Sequence, residues 1–275
     1  MSTPVLEPDQ RPVLTELNRQ RSFATSRAIT ALMLREMSTT YGRSPIGYLW
    51  AILQPVAGIV LLTLVFSLIF RAPPIGKSFG LFYATGLVPF LLYMEVQGKL
   101  ATSIQFSRQL LIYPSVTVID AILARFILNL LTQLLVAFIL FAALMSISET
   151  HAVVDLAAIS LALAMAAALG LGVGVINAFL FGMFDEWIRI WAVLNRPMFI
   201  VSCVLFLFET IPEPYRGYLW FNPLIHIIGQ MRRGFYPLYE AEYVSPAYVF
   251  LVSLVLLLFG LIFLKRYAQY ILTET

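Results

Sequence analysis

Hydrophobic residues in this chain come in long blocks. The first, Ser44 to Phe70, runs 27 residues without a charge. A helix of that length crosses a hydrocarbon core of about 30 Å with room to tilt. Five further blocks predict five more spans. They are Phe79 to Ile104, crossed by Glu95 and Lys99, then Ile119 to Met145, Val153 to Phe181, Ile188 to Phe208 and Ala247 to Leu264. Arg196-Pro197 interrupts the fifth. The pattern predicts an all-α membrane protein with six transmembrane helices.

Two segments fall outside this scheme. From Phe23 to Tyr41, Ile29, Leu32, Met33 and Met37 follow helical spacing, with Arg27, Arg35 and Glu36 interleaved. Such a stripe predicts an amphipathic helix on the membrane surface, although a plain basic orientation signal reads the same way. Residues 1–46 therefore form an N-terminal segment ahead of a membrane domain over 47–275. The other segment, Glu209 to Ser245, is too long for a turn and too apolar for a solvated loop. Its uncharged stretch Gly217 to Met231 is short of a full span and predicts paired re-entrant or interfacial helices, broken at Asn222-Pro223. No internal repeat is visible.

Composition agrees. With 60% hydrophobic residues, 12% charged and a mean hydropathy of +0.86, a soluble domain is excluded. Thirteen of the eighteen Lys and Arg fall on one side of the six-span scheme, which places both termini in the cytoplasm. That asymmetry accounts for the net charge of +3 without nucleic acid. The single cysteine, Cys203, leaves no disulfide or Cys-based metal site within one chain. The polar N-terminus does not read as a signal peptide.

The candidate chemistry is sparse. Arg125, Asn129 and Gln133 recur every four residues on one face of span three, and Arg196 lies in span five. A charge in a membrane helix costs at least ~2.5 kcal/mol unless it meets water or a partner. These residues either line a hydrated path for an acidic polymer or lipid phosphate, or join helices, with Arg125 also able to snorkel to the surface. Glu95 and Lys99 are spaced for a helix ion pair. Gly76-Lys77-Ser78 mimics the end of a phosphate-binding loop but lacks its first glycine. Gly170, Gly172 and Gly174 suit close helix contact. His151 and His226 have no companions at ligand spacing, so no metal is expected. No convergent acid, base or nucleophile set supports the competing class, an intramembrane glycosyl- or acyltransferase.

Residues 34 to 55 (LREMSTTYGRSPIGYLWAILQP) resemble the start of ABC-2 type permeases that export polysaccharides, above all the capsular polysaccharide exporter permease of Gram-negative bacteria. The resemblance rests on Leu34, Arg35, Glu36, Tyr41, Gly42, Arg43, Gly47, Tyr48, Leu49, Trp50, Ala51 and Pro55. A second match is IPEPYRGYLWFNPLIHI, residues 211 to 227, with Ile211, Pro212, Tyr215, Asn222, Pro223, Leu224 and His226 in place. The resemblance implies a permease in the bacterial inner membrane, homodimeric, with short gate helices on the periplasmic side. Permeases for O-antigen or teichoic acid share this pattern. The chain itself would hold no cofactor, since ATP and Mg would sit on a separate ABC ATPase subunit. That subunit would dock on the N-terminal helix and the apolar inner loop Gln105 to Val118, through Arg35, Arg43, Arg108, Leu111 and Tyr113. Further implied partners are a lipid-anchored polysaccharide and periplasmic and outer-membrane export components. Tyr215, Trp220, Phe221, Asn222 and His226 are candidate substrate contacts, because aromatic faces suit sugar rings, though such rings also gather at bilayer interfaces.

Overall fold

The computed structural model describes residues 24–40, 46–111, 117–147 and 154–274, and every regular element among them is helical. The order is α1 (Ala24–Thr40), α2 (Ile46–Ile69), α3 (Phe79–Ala101), α4 (Ser103–Leu111), α5 (Val118–Ile147), α6 (Leu156–Met183) and α7 (Asp185–Val201). After a short 3₁₀ turn at Phe208–Thr210 come α8 (Tyr215–Leu219), α9 (Pro223–Phe235) and α10 (Pro246–Glu274). Five of the described helices, α2, α3, α5, α6 and α10, are long and apolar enough to cross a membrane.

Helices α3 and α6 form the centre. Gly170 and Gly174 of α6 face α3, where an added Cβ would lie 3.0 Å from Val96 and 2.6 Å from Leu100. Gly172 faces the backbone of Ser253 in α10, at 2.5 Å from its carbonyl oxygen. The three glycines thus bring α6 against both neighbours, as their spacing suggested. Around this pair the bundle presents apolar side chains outward on α2, α5 and α10, which suits a lipid solvent.

Side-chain caps start the internal helices. Asp155 accepts from the backbone N–H of Ala157 and Ala158 at the start of α6. Thr117 and Asp120 bond reciprocally at the start of α5. Ser78 accepts from Leu81 N–H at 3.4 Å, so the Gly76-Lys77-Ser78 run is the cap of α3.

The structure differs from the sequence expectation in four places. The segment Gln105 to Val118, expected as a loop, contains the end of a helix, α4, because Ser103 to Leu111 is itself amphipathic. Helix α7 runs through Pro197 and stops at Val201, short of Phe208. It stops because Cys203 takes a left-handed conformation, φ 61°, as residues just past a helix end commonly do. Helix α10 continues past Leu264 to Glu274. The ion pairs among the described residues are Arg125–Glu36, Arg189–Glu186 and Arg216–Glu213, so the expected Glu95–Lys99 pair is not formed.

Candidate functional site

At one end of the bundle α1 lies across α5, with Leu32 buried and Ile29 and Met33 packed on the core. The next turn along that face is Glu36, which the sequence reading counted with the polar side. It is buried, and its Oε1 accepts from Arg125 Nε at 3.0 Å. Arg125 Nη1 also donates to the Lys99 carbonyl at 2.7 Å and to Thr102 Oγ1 at 3.1 Å. Its guanidinium stacks 4.3 Å from the centre of the Phe106 ring in α4. One side chain therefore joins α1, α3, α4 and α5, and it is a bundle contact with no need to snorkel. Asn129 turns its amide back to the Arg125 carbonyl at 2.8 Å, and Gln133 is half-buried.

Helix α4 is amphipathic, and its outward face carries Gln105 and Gln109 with Arg108 half-buried. Leu111, expected on an exposed apolar patch, is only 9% exposed and packs into the core. Arg35 is half-buried, 5.6 Å from the Phe106 ring. Arg43 and Tyr113 lie outside the described residues, as does His151.

At the opposite end α8 and α9 form the expected pair of short helices. The break is at Asn222-Pro223, where Asn222 Oδ1 caps α9 by accepting from Leu224 N–H. The Asn222 amide donates to Ser202 Oγ at 3.2 Å and so ties this break to the end of α7. His226 is buried under Trp220. Ser245 N–H donates to His226 Nδ1, so Nε2–H must be the donor to the Trp220 carbonyl, a neutral tautomer. Burial accordingly lowers the His226 pKa from 6.5. The Trp220 indole donates to the Tyr243 carbonyl and its ring packs on Tyr248. Thus Trp220, Asn222 and His226 are committed to the fold. Tyr215, Tyr218 and Phe221 stand exposed beside them, and Tyr218, at 75%, is the one of the three that the sequence reading did not single out.

Arg232, one of the five Lys and Arg that the six-span scheme sets apart from the other thirteen, is wholly buried. Its guanidinium donates to the carbonyls of Phe206, Cys203 and Val204 at 2.9 to 3.0 Å and stacks 4.6 Å from the centre of the Phe82 ring. It satisfies the backbone released where α7 stops. The only advance signal was its place directly after the uncharged stretch Gly217 to Met231.

Helix α7 has no buried residue. Two indoles tether it, Trp187 to Asn177 at 2.9 Å and Trp191 to Gln97 at 3.1 Å. Arg196 projects from its exposed surface. A cavity of about 780 Å³ beside α9 is lined by Asp155, Glu240, Glu242, Gln230 and Arg233. Three carboxylates against one guanidinium do not suit an acidic polymer.

Residues 27–236 match the family model described as ABC-2 type transporter. The polysialic acid transport protein KpsM of Escherichia coli is 31% identical over 246 residues, 90% of this chain and 95% of that protein. The capsule polysaccharide export inner-membrane protein CtrC of Neisseria meningitidis serogroup B is 27% identical, over 88% of this chain and 92% of its own. The protein BexB of Haemophilus influenzae, of the same description, is 25% identical over 91% of this chain and 95% of its own.

Proposed function

The chain belongs to the ABC-2 type transporter family, and from that we propose that it is the membrane-spanning subunit of an ATP-driven exporter of capsular polysaccharide. The observation that carries this reading is the likeness, over about nine tenths of the chain, to a polysialic acid transport protein and to two inner-membrane proteins named for capsule polysaccharide export. In this reading the 17-residue α7 is a sixth, short span, and both termini are cytoplasmic together with α1 and α4. The distribution of Lys and Arg supports that orientation. Two copies pair, and an ATPase subunit carrying ATP and Mg²⁺ docks beneath each at the exposed face of α4. Periplasmic and outer-membrane components receive the polymer. Helices α8 and α9 are the gate on the periplasmic side, where Tyr215, Tyr218 and Phe221 offer ring faces to sugars.

Deletion of the gene tests the reading: polymer should accumulate inside the cell, and surface polymer in the deletion strain overturns it. A cysteine at Leu238, fully exposed beyond α9, should be labelled from outside the cell, and one at Gln109 only after permeabilisation. Labelling of position 109 in intact cells reverses the orientation.

A further inference from the structure

The two buried guanidiniums hold opposite ends of the same helix. Arg125 donates to the Lys99 carbonyl near the end of α3 and to the hydroxyl of the cap residue Thr102, where the chain bends into α4. Arg232 stacks on Phe82 in the first turn of α3 while grasping the unwound end of α7. Phe82 and Lys99 are roughly 25 Å apart at 1.5 Å per residue, close to the thickness of a hydrocarbon core. Between these ends α3 is the most buried of the five long helices, and Gly170 and Gly174 hold it against α6. At its outer end Gly86 meets the backbone of Val204, where an added Cβ would lie 2.9 Å from the carbonyl oxygen. That leaves no slack between α3 and the turn that Arg232 secures.

We propose that α3, continuous through Pro89 and clamped on both sides of it, is a rod linking the α4 joint to the re-entrant helices, with Arg125–Phe106 and Arg232–Phe82 as its two grips. A close-packed helix moves as a body, and each grip offers a planar cation that stacks and hydrogen-bonds at once. Displacing α4 then shifts Thr102 and the end of α3, and the far grip passes the shift to the end of α7 and to α9. Phe106 and Phe82 are positioning residues in this scheme, since neither has to touch the transported polymer. The inference rests on the transporter reading above.

The test uses the complete complex with its ATPase subunit. A cysteine at Gly217, exposed in α8 with open space for a side chain, reports on the outer helices, and Cys203 stays in place because it is buried. In the complex without further substitution, trapping the ATPase with ATP and vanadate should change the labelling rate at position 217. Phe106→Leu should abolish that change in complexes still holding the ATPase, and Arg125→Lys, which keeps the charge but not the planar fork, should weaken it. A change of undiminished size in both variants overturns the rod. No response to trapping before either substitution also overturns it, even where export depends on ATP and the transporter reading stands. Failure of ATP-dependent export itself removes that reading and the rod together.

Discussion

Arg125 and Glu36, 89 residues apart in the chain, meet at 3.0 Å with 7% and 3% of their side chains exposed. A pair so withdrawn from water is held less by its own attraction than by the cost of breaking it. The desolvation of both ions nearly cancels their Coulombic gain, whereas removing one partner strands the other. Glu36→Ala or Arg125→Ala alone should therefore cost about 3–5 kcal/mol. The double replacement Glu36→Leu with Arg125→Met should be less destabilising than either. Thermal melting of the purified protein in detergent ranks the three, and single variants as stable as wild type would refute the estimate.

Aromatic residues around α8 and α9 should divide into two groups. Trp220→Ala removes a buried-face indole that bonds Tyr243 and packs on His226 and Tyr248, and should cost about 3–5 kcal/mol. Tyr218→Ala, at an exposed ring, should leave stability within about 0.5 kcal/mol and act only on export. Membrane abundance and export, measured together, separate them. Parallel loss of both in the Tyr218 variant would assign that ring to the fold.

Arg196 has no hydrogen bond or ion pair among the described residues and stands exposed on α7. In a bilayer such a charge demands water or an anion from outside the chain. Arg196→Ala should keep normal abundance yet lower export per folded complex, and Arg196→Lys should retain part of it, since charge survives without the planar fork. Export per complex equal to wild type in the alanine variant would remove Arg196 from the path.

His226 gives the fold a pH dependence of known sign. Burial lowers its folded pKa below 6.5, so the unfolded chain binds the extra proton first as pH falls. The contribution of His226 is complete above pH 6.5 and is lost as pH drops from there toward the folded value. His226→Gln should lower the melting temperature near neutral pH and narrow its deficit against wild type in acid. A deficit independent of pH would mean that His226 does not titrate differently in the two states.

Much of the fold was legible because its determinant is one-dimensional. A helix buried in lipid must satisfy its own backbone, so an uncharged block from Ser44 to Phe70 could only become α2, found at Ile46–Ile69. The Asn222-Pro223 break was equally local, set by proline geometry and an amide cap. The small residues of α6 pointed to close contact before any partner was known.

The helix blocks, their order, the amphipathic α1 and the break between α8 and α9 were thus determined by residues near one another in the chain. Tertiary structure alone decided which polar groups are structural and which are free. Glu36 looked solvated until it met Arg125 across 89 residues, and Arg232 was only one basic residue in the count until it closed over the carbonyls of Cys203, Val204 and Phe206. Leu111 looked like a docking surface until α4 turned it inward. The reason is physical: whether a charge is costly depends on its partner and on the water around it, and both are properties of distance in space. The apolar blocks need neither, because lipid is the same solvent on every side.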